Sequence, residues 1–297
     1  MSYFSVSDFY KQKFGSKVYK ISIDAGCTCP TRDGSKSTGG CIFCSAAGSG
    51  DFAASRTLSI SEQIEEAKKR VDSKFPKKQN KKYIAYFQNF TNTYGDAIQL
   101  KQKYYQALAC PGVKAIAIAT RPDCLSGEIL QILQELAQKT FVIVELGLQT
   151  SDEKTAEYIR RGYKTPVFEK AVKALHECAP NIHVVCHVIF GLPGESAEKM
   201  IKTVQYAVNC GIDGIKICVL HILEGTDLAE EWRNGKIKCL NMEEYFEILG
   251  QALKIIPPGV VIHRLTGDGA KRILLAPMWT ADKKRVHNAL KKYIESL

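Results

Sequence analysis

No apolar run in the 297 residues approaches the roughly 20 that a membrane-spanning helix requires. The opening Met-Ser-Tyr-Phe-Ser-Val-Ser-Asp also lacks the basic start and apolar core of a secretory signal. A cytoplasmic protein without membrane attachment is the expectation. Low-complexity tracts and flexible linkers are missing, and no RNA-binding module of a recognised type is present. Hydrophobic residues at 45% and charged residues at 24% exclude disorder over most of the chain. A chain of this length buries roughly 75% of its unfolded surface, so it needs no disulfides for stability.

Eleven cysteines are present, an odd number that forbids complete pairing, and in a reducing compartment structural disulfides are rare. Seven of them (Cys110, Cys124, Cys178, Cys186, Cys210, Cys218, Cys239) are scattered singly and read as packing residues. The other four, Cys27, Cys29, Cys41 and Cys44, crowd into one short segment.

The net charge of +10 is also concentrated. Residues 68–82 hold eight lysines and arginines, among them Lys77, Lys78, Lys81 and Lys82, against Asp72 alone, a local charge of +7. Residues 283–292 add +5. Two such patches point to a polyanionic partner, with a solvated basic helix end as the plainer reading.

Apolar, β-rich runs alternate with helix-like segments: Val18–Ala25, Tyr83–Phe90, Val113–Thr120, Phe141–Leu148, Ile182–Phe190 and Ile215–Ile222. Several are apolar throughout rather than alternating, as a parallel sheet covered on both faces requires. Helix starts are signalled at Ser61-Glu62, Ser126-Gly-Glu128, Ser151-Asp-Glu153 and Glu195-Ser196. This predicts an α/β fold, a partial (β/α)6 barrel of parallel strands over residues 1–225. Residues 226–297 are expected to form an α+β extension packed on it, with a helix near 242–256, a short strand at 260–264 and a basic terminal helix.

The cysteine segment reads Cys27-Thr-Cys29-Pro-Thr-Arg-Asp-Gly34 and then Gly39-Gly-Cys41-Ile-Phe43-Cys44. Four cysteines would suit a closed structural zinc site, although the Cys-x-Cys spacing is tight for a zinc pair. Three would suit a [4Fe–4S] cluster with one iron left open. The loop follows the first strand, at the end where parallel barrels place their chemistry.

With its Pro-x-Arg-Asp-Gly register and Cys29-x11-Cys41-x2-Cys44 spacing, the loop resembles that of the YhcC/YtqA-like group of the radical S-adenosylmethionine (SAM) superfamily. Nearly the whole chain shares the resemblance, through Thr91-Asn92-Thr93-Tyr94, Ala119-Thr-Arg121-Pro-Asp123, Glu145-Leu-Gly-Leu-Gln149-Thr150, Arg160-Arg161-Gly162, His187-Val-Ile-Phe-Gly191-Leu-Pro-Gly194, Leu220-His221 and His263-Arg264. It implies Cys29, Cys41 and Cys44 as cluster ligands, with SAM chelated on the open iron and an electron donor such as flavodoxin or ferredoxin. It further implies SAM contacts from Phe43, Thr91, Asn92, Glu145, Gln149, Arg161, His187 and Gly191. Thr91-Asn92-Thr93 stands where many members carry Gly-Gly-Glu. An ion pair with Arg121 is the competing role for Glu145, and a barrel-packing role competes for His187. Tyr94, Arg121, His221 and Arg264 are assigned to the substrate side.

The same group resembles the radical SAM domain of the elongator acetyltransferase, which acts on tRNA wobble uridine. That resemblance and the basic patches, including Lys77, Lys78, Lys81 and Lys82, imply tRNA binding and modification of a 5-aminomethyl type at that base. Radical chemistry on a small metabolite or peptide is one alternative. A zinc-stapled nucleic-acid-binding protein is another.

Overall fold

Val113-Lys-Ala-Ile-Ala-Ile-Ala-Thr and Phe141-Val-Ile-Val can be buried only if both faces of a strand are covered. In the computed structural model, which describes residues 3–48, 53–75, 80–267, 269 and 271–297, they do lie in such strands. Nine strands are described: β1 Val18–Ile23, β2 Lys82–Phe87, β3 Val113–Thr120, β4 Phe141–Gln149, β5 His183–Phe190, β6 Gly214–Val219, β7 Ile222–Leu223, β8 Val261–Arg264 and β9 Leu274–Ala276. The helices are α1 Val6–Phe14, α2 Ile60–Lys74, α3 Ala97–Ala109, α4 Gly127–Lys139, α5 Glu153–Tyr158, α6 Pro166–Cys178, α7 Ala197–Asn209, α8 Asp227–Arg233, α9 Met242–Ile255 and α10 Lys283–Ser296.

Seven parallel strands, in the order β1-β2-β3-β4-β5-β6-β8, form a curled half-barrel. Sequential order with a helical crossover between neighbours is the arrangement expected of right-handed βαβ units. The short strand expected near residues 260–264 joins this sheet as its seventh member, so the extension is continuous with the barrel. β7 and β9 form a separate two-stranded antiparallel ribbon.

Side chains alternate along each strand and so divide two cores. Ile21, Phe87, Ile116, Val144, Val184 and Ile217 face outward into one cluster with Ile64, Tyr104, Leu133, Val172, Val204 and Leu249 of the covering helices. Val18, Ile84, Ala115, Ile143 and Val185 face inward and pack on Tyr10, with Phe9 and Phe14 beside it. These three aromatics belong to α1, which touches both β1 and β8 and lies across the seam those strands leave unpaired. Backbone bonding at Ile262 N–H to Phe4 O (2.8 Å) fixes the start of α1 on β8.

Helix ends follow local chemistry. Ser59 and Glu62 form a reciprocal capping box at α2, two residues earlier than the Ser61 signal, and Ser126 and Ser196 cap α4 and α7. Among the described residues no helix is long and apolar enough to cross a membrane.

Candidate active site

The cysteine loop leaves β1 through Asp24, a buried carboxylate held by Asn89 Nδ2 at 2.7 Å and accepting the Gly26 N–H at 2.7 Å. Gln63 accepts the Asp24 backbone N–H at 2.8 Å, which ties the root of the loop to α2. Arg32 then joins the two halves of the loop, donating to Ser45 O at 2.7 Å and Cys44 O at 3.1 Å. Gly40 lies against this guanidinium at φ +77°, and a Cβ there would meet Arg32 Nε at 2.7 Å. Glycine is therefore required by both conformation and space.

The four thiols part company. Cys27 turns into the outer apolar core, where burial raises its pKa to about 11. Cys29, Cys41 and Cys44 line a cavity of about 1160 Å3 that fills the barrel lumen. Cys29 Sγ lies 3.0 Å from Thr91 Oγ1, and Cys41 Sγ points to Arg160 O at 3.6 Å. A hydrogen bond with Cys44 lowers the Cys41 pKa, helped by nearby Arg121 and Arg32, and the same bond raises that of Cys44. Among the described residues no group of three or more His, Cys, Asp or Glu side chains is set to hold a metal ion. The three lumen thiols, with Cys41 and Cys44 close enough to hydrogen-bond, lie beside Arg32 and Arg121, a donor set that suits a cluster taking one thiolate on each of three irons.

Deeper in the lumen lies a buried ionic group. Glu145 is 1% exposed and accepts from Lys20 Nζ at 2.5 Å, Tyr86 Oη at 2.6 Å, His187 Nε2 at 2.9 Å and Lys216 Nζ. Although burial acts to raise it, Lys20 and Lys216 carry the Glu145 pKa well below the carboxylate range. Burial lowers His187 to about 4 and Lys216 to about 7. The competing expectation of a Glu145–Arg121 pair is corrected: Arg121 bonds Asp123 through Nε and Nη2, both at 2.9 Å.

The cavity brings together Cys29, Cys41, Phe43, Cys44, Thr91, Arg121, Glu145, Gln149, His187, His221 and Arg264. Gln149 adopts φ +62° where the β4–β5 register slips, a costly backbone for a non-glycine residue that aims its side chain inward. His221 is roofed by Gly267 and Gly269, where an added Cβ would come within 2.5 and 2.9 Å of its ring.

Other expected contacts lie elsewhere. Arg161 is 1% exposed and spends its donors on Tyr163 O, Leu148 O, Thr150 O and Thr165 Oγ1, so it clamps the loop after β4 rather than facing the lumen. The Asn92 amide donates to Asn89 O and Ala119 O, and Gly191 faces Leu240. Tyr94 bonds Ser35 Oγ at 2.7 Å, outside the cavity wall. The 68–82 patch is partly neutralised: Lys68 pairs with Glu65, Arg70 with Glu66 and Lys81 with Asp72, while Lys82 caps Phe14 O. Lys77 and Lys78 lie outside the described residues. Sequence reasoning missed Lys20, Tyr86 and Lys216, whose signal is a polar residue at the inward position of an otherwise apolar strand.

Comparison with known proteins bears on this site. The profile of the Radical SAM superfamily matches residues 35–207, and that of the Radical_SAM C-terminal domain matches residues 212–296. The Bacillus subtilis protein YtqA is 40% identical over 294 residues, covering 99% of this chain and 90% of its own. The chain belongs to the radical SAM superfamily. It is an enzyme of that class, whose members use a [4Fe–4S] cluster and SAM and need a reductant. The tRNA uridine(34) acetyltransferase of Methanocaldococcus jannaschii is 34% identical over 158 residues, covering 52% of this chain and 28% of that protein. The archaeal Methanocaldococcus infernus Elp3 structure superposes with a TM-score of 0.71 at 19% identity, covering 95% of this chain and 63% of that one. It shares the radical SAM barrel fold seen here.

Proposed function

We propose that Cys29, Cys41 and Cys44 hold the cluster and that the lumen beneath it holds SAM and the reacting part of a tRNA wobble uridine. The observation that carries this reading is the separation of the thiols: three open on the lumen while Cys27 is packed behind the strands. When bound, cluster and SAM supply a 5′-deoxyadenosyl radical that takes a hydrogen atom from the substrate.

The chain's own residues bind, orient and exclude water. Phe43 and Gln149 wall the upper lumen and are placed to hold SAM. Thr91 hydrogen-bonds the Cys29 thiol and orients it. Arg121 and Arg32 set positive charge beside the thiolates, which favours their ionised form. Arg161, Asn92 and Gly191 act by positioning the loops behind this surface. A flavodoxin or ferredoxin is the proposed electron donor.

The tRNA assignment is supported by the similarity to the tRNA uridine(34) acetyltransferase and by cations on the cavity wall. Lys271, Lys283 and Arg264 on the cavity wall join the 68–82 patch as the proposed contacts to the tRNA backbone. An anticodon base would enter splayed out, as single-stranded RNA bases do.

The test is anaerobic incubation of the reduced protein with SAM and tRNA from cells that lack it. Release of 5′-deoxyadenosine with a changed wobble nucleoside is expected, and tRNA from wild-type cells should not support it. SAM cleavage that ignores both tRNAs but responds to a small metabolite or peptide would overturn the tRNA assignment.

A further inference from the structure

The terminal helix α10 carries a charge pattern that its own folding does not call for. Lys283, Lys284 and Arg285 fill its first turn, where no acidic residue stands and where the helix dipole disfavours cations. Lys291 and Lys292 follow about two turns later. At about 3.6 residues per turn, Lys284, Arg285, Asn288, Lys291, Lys292 and Glu295 fall on one face, and all are exposed. That face holds four cations against one carboxylate and no apolar side chain. Its acid, Glu295, lies 3.8 Å from Lys291.

The opposite face is committed to packing. Val286, Leu290 and Ile294 are buried in the outer core, and Tyr293 meets Phe246 of α9 with ring centroids 5.6 Å apart. Gly250 of α9 permits this close seat, since a Cβ there would meet Tyr293 Oη at 2.8 Å. The apolar stripe of α10 is therefore occupied, which excludes its insertion into a lipid surface. A protein partner would need aromatic or apolar anchors at the centre of its contact, and the exposed face offers none. A polyanion held by charge needs only the cations that are there.

The helix also starts at the cavity. Thr280, Ala281 and Lys283 line it together with Arg264 and Lys271, and Lys291 lies eight residues, about 12 Å, further along the helix axis. We propose that the solvent face of α10 docks the phosphodiester backbone of RNA flanking the nucleotide that enters the cavity. Lys284, Arg285, Lys291 and Lys292 supply the charge, with Asn288 between them. Contacts of this kind go to phosphates, so they set where the RNA lies rather than which sequence is bound. That the polyanion is RNA rests on the proposed function; the location of the docking face does not.

The test titrates the full-length, cluster-loaded protein with a fluorescein-labelled anticodon stem-loop hairpin and reads affinity by anisotropy across a salt series. Lys291→Ala with Lys292→Ala should lower the slope of log affinity against log salt by about two. Lys173→Ala with Lys202→Ala removes the same charge from exposed positions on α6 and α7 and should keep the wild-type slope. A wild-type slope in the α10 variant, beside hairpin binding by wild type, would overturn this face and leave the tRNA assignment intact. An equal fall in both double variants would trace the effect to bulk charge and overturn the face as well. No hairpin binding by wild type at low salt would overturn the face and the tRNA assignment together. Displacement of the hairpin by polyglutamate as effectively as by unlabelled hairpin would give the face to acidic peptides and overturn RNA as its partner.

Discussion

Cys27 and Cys29 are one residue apart and face different compartments: Cys27 packs in the outer core, in the cluster that includes Tyr104, while Cys29 opens on the lumen 3.0 Å from Thr91 Oγ1. A loop leaving a strand keeps the strand's alternation only briefly, and here Gly26 at φ +75° and the turn closed by Arg32 N–H on Cys29 O reset it. The pair therefore divides a structural thiol from one available to a cluster.

Glu145 holds two lysines in the lumen, and removing its charge leaves them uncompensated. Glu145→Gln should cost about 3 kcal/mol in denaturant unfolding. Replacing the group as a whole, with Lys20→Met and Lys216→Met added to Glu145→Leu, should restore most of that loss. A Glu145→Gln variant as stable as wild type would show that the lysines are neutral or solvated.

Three histidines, His183 buried and His187 and His263 half-buried on the cavity wall, make the fold acid-sensitive. Burial lowers His183 and His187 to about 4 and His263 well below its usual value. Their folded pKa values lie below the unfolded one near 6.5, so the unfolded chain takes up protons first. The histidine contribution to stability is then full above pH of about 6.5 and is lost as pH falls towards about 4. Glu195, raised to about 7 by burial, opposes one of the three. The expected net slope is roughly 2–3 kcal/mol per pH unit. His183→Phe, which keeps the stack on Phe9, should reduce it in pH-dependent denaturant melts.

Gly214 and Gly127 separate a required glycine from a tolerant one. A Cβ at Gly214 would fall 2.7 Å from the His263 ring and 3.1 Å from His183 Nε2, whereas one at Gly127 meets nothing within 4 Å. Gly214→Ala should lower stability by about 1–3 kcal/mol. Gly127→Ala, in the first turn of α4, should be neutral or stabilising by up to about 1 kcal/mol. Thermal melts of the two variants decide this.

The sheet was legible because β3 to β6 are apolar at consecutive positions, a pattern that few structures besides a doubly covered parallel sheet satisfy. The cysteine loop was legible from spacing and its Pro-x-Arg-Asp-Gly register. Pairings across long stretches of chain were not. Lys20 meets Glu145 over 125 residues and Lys216 meets it over 71, and neither separation leaves a local trace. What sequence does carry is their parity in Val18-Tyr-Lys20-Ile-Ser22 and Gly214-Ile-Lys216-Ile-Cys218, where each strand places one lysine at an inward position. Arg161 reads in sequence as a ligand for an anion, because the three loop carbonyls and one hydroxyl that take four of its donors come together only in the folded chain. The seam-closing role of α1 was equally silent, since it depends on β1 and β8 remaining unpaired.

The most direct measurement is iron, sulfide and zinc analysis of anaerobically purified wild type beside Cys27→Ala and Cys29→Ala. The account predicts iron and sulfide near about four each in wild type, retained in Cys27→Ala and lost in Cys29→Ala. Stoichiometric zinc without sulfide, or loss of iron in Cys27→Ala with retention in Cys29→Ala, would contradict it.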